Sequence, residues 1–164
     1  MAGHLNTIGN RQFVKAKYKQ NLAAGEKLSG AEFEMTFDEY PDISVLIRST
    51  QLAANGTADV EDFGPMGMKF TQHGPYENNG EIAVTAVETI TGAALAVIKD
   101  IVKEKKYVTV RVRATPESTA GISPDSLDQK YEDCKLRSDV IDLSTEDTAA
   151  LVKPAMTIIY NWKD

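Results

Sequence analysis

The run IAVTAVETITGAALAVIKDIVKEKKYVTVRVRA, residues 82–114, decides the fold class. From Ile82 to Thr89 the side chains alternate, with Ile82, Val84 and Ala86 set against Ala83, Thr85 and Val87. Period two is the mark of a strand. Both of its faces are apolar, which predicts a strand covered on both sides. The period then changes. Leu95, Ile98, Ile101 and Val102 form one stripe of a 3.6-residue repeat, predicting a core-facing helix over 92–106. Thr89 or Thr91 is placed to cap its start. Lys103, Lys105 and Lys106 suit the negative end of the helix dipole. Alternation returns over Tyr107–Ala114, with Val108, Val110 and Val112 inward and Thr109, Arg111 and Arg113 outward. Strand–helix alternation does not recur elsewhere, which argues against a doubly wound parallel sheet.

Towards the N-terminus, Phe33, Met35 and Phe37 alternate with Glu32, Glu34, Thr36 and Asp38. Tyr40-Pro41-Asp42 breaks this strand. Ile43, Val45 and Ile47 then predict a second strand over Ile43–Thr50, closing a hairpin with the first. Between 51 and 81 the turn signals Asn55-Gly56, Gly64-Pro65, Gly67, Gly74-Pro75 and Asn78-Asn79-Gly80 separate short extended pieces, Asp59–Phe63 and Met68–Thr71. So long a stretch with so little regular structure is expected to be functional or interfacial. Towards the C-terminus a polar loop precedes a strand over Tyr131–Leu143, with a bend between Val140 and Ile141. An acidic turn, Ser144–Asp147, follows. A closing strand, Ala155–Trp162, has Met156, Ile158, Tyr160 and Trp162 on one face.

The fold class is therefore mainly β: an antiparallel sandwich or barrel with one packed helix. A length of 164 residues fits one domain, over 31–164, behind an N-terminal arm of residues 1–30. In the arm, Phe13, Val14 and Tyr18 suggest a short helical stripe. Charge is uneven. Residues 1–19 carry Arg11, Lys15, Lys17 and Lys19 and no acid, whereas residues 41–100 hold three bases and eight acids. A basic arm ahead of an acidic body suggests docking on an acidic surface; an ordinary solvated helix is the alternative.

Composition excludes several classes. With 18 Lys+Arg against 24 Asp+Glu the chain carries −6, which argues against a nucleic-acid binder that works by broad phosphate neutralisation. No apolar run approaches the ~18 residues of a membrane span, and the opening residues lack signal-peptide regions. An intracellular, non-secreted protein is expected at synthesis. The single cysteine, Cys134, excludes an internal disulfide and a cysteine-rich zinc site. It is expected to be a structural thiol. No GxSxG, GxxxxGK[ST] or HExxH motif is present. His4 and His73 lie in a tail and a Gly-Pro loop, and neither is expected to act in catalysis. Asp59-Val60-Glu61-Asp62 lacks the ligand spacing of a calcium loop. Arg111 and Arg113 are expected to pair with an acidic neighbouring strand. No catalytic residue, metal site or cofactor is expected.

The order of elements carries a resemblance. The segments are Val45–Leu52, Gly64–Lys69 and Ile82–Glu88 running on into Thr89–Lys99, with the ending Thr157-Ile158-Ile159-Tyr160-Asn161-Trp162. From Phe33 to Trp162 this order resembles the tail tube proteins of contractile-tailed, myovirus-type bacteriophages. The resemblance implies a structural virion protein, not an enzyme. Its hexameric rings would stack into a hollow tube inside a sheath, with the sheets of neighbouring chains joined into one ring-shaped β-barrel. It implies as partners other copies of the chain, the tail sheath protein, baseplate and tail-terminator proteins, and tape-measure protein and DNA in the lumen. It implies the host cytoplasm during assembly and the virion tail afterwards. Gln51, Asn55, Asp59, Glu61, Asp62, Gly64, Met66 and His73 are candidates for a loop between subunits. Glu32, Glu34 and Asp38 are candidates for facing the lumen, where acidic groups would let DNA slide without sticking. An inner-tube protein of a contractile injection or secretion system, a small β-sandwich enzyme and a non-viral β-sandwich binding module stay open as alternatives.

Overall fold

A computed structural model describes residues 8–164. His4 lies outside the described residues. The chain divides into two compact units, Met1–Ala31 and Glu32–Asp164.

The first unit is built on one helix, α1, Arg11–Ala23. Asn10 caps it, its side-chain oxygen accepting from the Phe13 N–H at 3.1 Å. Gly25, at φ +87°, ends the turn that follows. The stripe is longer than the sequence suggested: Leu22 joins Phe13, Val14 and Tyr18. Every residue of α1 is exposed.

The second unit holds nine strands and a second helix: β1 Phe33–Phe37, β2 Ile47–Ser49, β3 Thr57–Phe63, β4 Lys69–Tyr76, β5 Gly80–Ala86, α2 Ala93–Lys103, β6 Val108–Ala114, β7 Asp128–Ser138, β8 Ala155–Tyr160 and β9 Trp162–Lys163. Seven strands form one antiparallel sheet in the order β1-β6-β7-β8-β5-β2, with β9 beside β7. The sheet is barrel-like and nearly closed. Its inside is filled by Met35, Phe37, Ile82, Val84, Val110, Tyr131, Met156 and Ile158. Ile98 and Ile101 of α2 join this core. Such burial removes about 25 cal/mol of free energy per Å² of apolar surface and is the main stabilising term.

The expected first hairpin does not exist. Residues Pro41–Leu46 form a 3-10 turn, not a strand. Pro41 fixes the first helical φ, and Ile43 turns into the core while Val45 stays 75% exposed. The turn carries the chain from β1 at one end of the strand order to β2 at the other, and β1 pairs instead with β6. Residues 51–81 are more regular than expected, because β3 and β4 pair as a ribbon from Thr57 to Tyr76. The β5 strand buries one face only: Ile82, Val84 and Ala86 are inside, and Ala83 is exposed.

In α2 the buried stripe is Ala94, Ile98 and Ile101, with Leu95 partly buried. Val102 is 46% exposed and lies off the stripe. Neither threonine occupies the cap position, but the Thr89 hydroxyl accepts from the N–H of Ala93, the first helical residue, at 3.3 Å. Gly92 occupies the cap in a left-handed conformation, and the Glu88 carboxylate accepts from the Ala94 and Leu95 N–H groups at 3.1 and 2.8 Å. A carboxylate there also suits the positive end of the helix.

The bend in β7 lies at Asp133, φ 52°, and not near Val140. Tyr131 and Cys134 both point inward although three residues apart. The first part of β7 pairs with β6 and the second with β8, so the bend turns the sheet upon itself. The strand ends at Ser138, and residues 139–154 run without helix or strand. A second phase change falls at Asn161. Trp162 is 44% exposed and Lys163 is 3% exposed, the reverse of the alternation expected for the closing strand.

Candidate assembly surfaces

The β3–β4 ribbon has a face on each side and buries neither. Phe63 pairs with Lys69 and Glu61 with Thr71, so these share one face; Val60, Asp62, Phe70 and Gln72 share the other. Phe63, Met68 and Phe70 are 67%, 66% and 63% exposed, and Met66 at the tip is fully exposed. The tip is built by Gly64, Pro65, Met66 and Gly67. Met66 and Gly67 both take positive φ, and the Gly64 N–H closes the turn onto the Met68 carbonyl at 2.7 Å. Gly74 has no room for a side chain, since a Cβ would lie 2.7 Å from the Ala58 carbonyl oxygen. A paired ribbon with large apolar side chains in water is the kind of surface that marks a contact with another protein.

Among the described residues the ribbon is anchored at its root. Lys163 reaches the Ala54 carbonyl, and its ammonium lies 5.6 Å from the Tyr76 ring centre. Tyr76 and Trp162 meet edge to face, and the Asn78 amide donates to the Asn161 carbonyl at 2.9 Å. The sequence marks Asn78 only as part of a turn and does not mark Lys163 at all. Their partners lie more than eighty residues away, and no local pattern announces them.

The eight loop candidates are not one group. Gln51 accepts from the Ala83 N–H at 3.1 Å, a bond within the body. Asn55 lies exposed before the ribbon. Asp59, Glu61 and His73 share one ribbon face, and Asp62 is on the other. Glu61 pairs with Lys69 at 2.7 Å, and His73 Nδ1 shares a hydrogen bond with Thr57 Oγ1 at 2.7 Å. Gly64 and Met66 form the tip. The three acids do not converge, and among the described residues no cluster of His, Cys, Asp or Glu is arranged to hold a metal ion.

Glu32, Glu34 and Asp38 lie on the side of β1 opposite Met35 and Phe37. Glu34 is paired with Arg113 of β6 at 2.9 Å. Next to it Arg111 is bonded to Asp128 of β7 through two nitrogens, at 2.8 and 2.5 Å. The Arg111 guanidinium holds the Asp128 carboxyl below its usual range. The outer face of β1, β6 and β7 is thus a mixed ladder of acids and arginines. At one end of it the Asp100 carboxylate accepts from Tyr40 and from Lys106, which lower its pKa, Lys106 most. A gap of about 350 Å³ between β1 and β2 is lined by Phe33, Met35, Val45 and Ile47, where the barrel stops short of closing.

Of the four stripe residues, Ile98 and Ile101 are buried, Leu95 is partly buried and Val102 is exposed. Cys134 is buried, and burial pushes its thiol up to about 12.

The body is an antiparallel, nearly closed barrel with one packed helix and a β3–β4 ribbon, an architecture that matches the tail tube-like fold of the solved structures below. No protein-family model and no curated protein sequence matches the chain. Solved structures do. A chain of the sheath–tube complex of the extracellular contractile injection system PVC, in the extended state, superposes with a TM-score of 0.63 at 11% identity, covering 88% of this chain and 95% of that one. A chain of the tube-terminating cap of the anti-feeding prophage gives 0.63 at 12% identity, covering 100% and 97%. A chain of a native gene transfer agent virion gives 0.54 at 14% identity, covering 82% and 94%. At these identities the likeness is one of fold.

Proposed function

We propose that this chain is a structural component of a tail-like particle. Copies associate into hexameric rings, the rings stack into a tube, and the tube conducts DNA into a host cell. The observation that carries this reading is the tail tube-like fold joined to a β3–β4 ribbon with no buried face in the single chain. The sheet also ends on β1 and β2, each of which leaves its outer edge without a partner strand among the described residues. Exposed edges invite pairing with another chain. A closed ring of like subunits would satisfy them and join the sheets into one barrel. The ribbon residues Asp59, Glu61, Asp62, Gly64, Met66 and His73 then make contacts between subunits. Sheath, terminator and baseplate proteins are the partners this reading supplies, with tape-measure protein and DNA inside the tube. The arm, residues 1–30, serves as a separate attachment to the domain of residues 31–164. The tail is the final location, after assembly in the host cytoplasm.

A second reading is an inner-tube or terminator protein of a contractile injection particle, which would pass protein cargo. The PVC and anti-feeding prophage neighbours favour it. Negative-stain microscopy of the purified chain tests the common part: rings or tubes of uniform width are expected, and a monodisperse monomer at high concentration counts against both readings. Capsid and terminase genes beside this one would select DNA as the cargo.

A further inference from the structure

We propose that α1 of one copy docks on the acidic concavity that lies within residues 142–152 of a second copy. The inference rests on the self-assembly proposed above and names a contact within it.

The helix supplies one half. Val14, Tyr18 and Leu22 recur every four residues, with Phe13 beside them, and all four are about 60% exposed. Arg11, Lys15 and Lys19 form a parallel ladder about 100° round the helix from the apolar one. Lys17 lies over the Phe13 ring at 5.6 Å. The helix carries these four bases and no acid. The apolar stripe is therefore flanked by bases, Arg11, Lys15 and Lys19 on one side and Lys17 on the other. That arrangement fits a partner that is both apolar and acidic.

The other half is the segment between β7 and β8. Residues 139–151 contain Asp139, Asp142, Glu146 and Asp147 and no base. Val140, Leu143 and Leu151 are 89%, 78% and 69% exposed. Asp142, Leu143, Asp147, Ala150 and Leu151 line a concavity of about 360 Å³. Its flanks are fixed: the Asp139 N–H donates to the Ala155 carbonyl, and the Glu88 N–H to the Val152 carbonyl, both at 2.9 Å. A charge of +4 with an apolar ladder thus meets a segment of charge −4 whose partly apolar hollow is lined by two of its acids, Asp142 and Asp147. The two units as wholes differ in the same sense. Residues 1–31 hold five bases and one acid, while residues 32–164 hold 13 bases and 23 acids.

A second copy is the occupant because the proposed ring sets another body beside every arm, and that body carries the complementary charge. The eight residues from Ala24 to Ala31 span up to about 27 Å when extended, enough to cross to a neighbouring subunit.

The test uses two full-length variants. One carries Lys15→Glu, Lys17→Glu and Lys19→Glu. The other carries Asp142→Lys, Glu146→Lys and Asp147→Lys. Hydrogen exchange of the α1 amides is read in assembled material, with assembly followed separately by sedimentation. Wild-type assemblies should protect α1, and each variant alone should exchange there about tenfold faster. In an equimolar mixture each reversed arm meets a reversed body only on the other chain, so protection should return. Failure of the mixture to recover, with each variant still assembled, overturns docking between copies. Protection of α1 that ignores the body substitutions assigns the helix to another partner and also overturns it. If the wild-type chain stays monomeric, the proposed assembly fails as well, and sedimentation separates that outcome from the other two.

Discussion

At the scale of single residues, two positions in α2 separate core from surface. Both belong to the apolar stripe read from the sequence, but Ile98 is 3% exposed and Val102 is 46% exposed. Ile98→Asp would place an unpaired carboxylate among Ile101 and the sheet, at a cost of several kcal/mol. Soluble expression should be lost. Val102→Asp leaves its charge in water and should melt as the wild type does. The sequence could not separate them, because the 3.6-residue period defines a stripe without fixing its width, and Ala94 rather than Val102 completes it. Cys134 gives a second residue-scale prediction. Its ordinary pKa of 9.0 is pushed up to about 12 by burial, and Tyr131 is pushed from 10.0 to about 12 for the same reason. Folding thus favours the protonated forms. That stabilisation is complete below the unfolded pKa values and is lost as pH rises from about 9 towards 12. Thermal melts across that range should fall monotonically. Cys134→Ala should flatten the lower part of the fall. In the native protein at neutral pH, maleimide should label Cys134 only at the rate of unfolding.

At the scale of elements, legibility followed locality. The strands β1, β5, β6 and β8 were visible because their inward residues, such as Met35, Val84, Val110 and Ile158, alternate without interruption. The Ile43–Thr50 segment alternates equally well, yet Pro41 and the need to carry the chain between the two ends of the sheet wind it into a 3-10 turn. Alternation records which side chains want burial and is silent on the path that buries them. The phase change between Val140 and Ile141 lies beyond β7, which ends at Ser138, and the true bend at Asp133 has no glycine to mark its positive φ. The β3–β4 ribbon was hardest to read. It buries neither face, so it has no apolar alternation, and its regularity comes from pairing alone. For the same reason the candidate contact residues were legible only as turn signals and exposed charges, while Phe63, Met68 and Phe70 were passed over. The ribbon carries its own prediction. With few buried side chains its backbone bonds should open readily in the unassembled chain, giving fast hydrogen exchange from Thr57 to Tyr76. In tubes the same amides should exchange slowly. Equal exchange in both forms would show that the ribbon makes no contact between subunits. Replacing Phe63 and Phe70 by Ser should leave the melting temperature of the monomer nearly unchanged and reduce tube yield.

At the scale of the whole molecule, the net charge of −6 is multiplied by every copy in an assembly. If the outer face of β1 lines a channel, its acids set the field that a passing polyanion meets. The three candidates are not equivalent there. Glu34 is largely neutralised by Arg113, and Arg111 is taken up by Asp128. Among the described residues Glu32 and Asp38 have no ion pair, so they dominate any acidic lining on this face. The informative substitutions are therefore Glu32→Lys with Asp38→Lys, while Glu34→Lys serves as a control that disturbs a cross-strand pair. Exposed pairs contribute at most about 1 kcal/mol, so the control should still fold. Tube assembly and DNA delivery are then measured separately in the particle. Normal assembly with slower, salt-sensitive delivery for the double variant places Glu32 and Asp38 on the channel wall, because lysines there would hold phosphates that acids repel. Normal assembly with unchanged delivery puts this face outside the channel. A failure of the double variant to assemble makes the face a contact between subunits, and high salt should then restore part of the yield by screening the new charges.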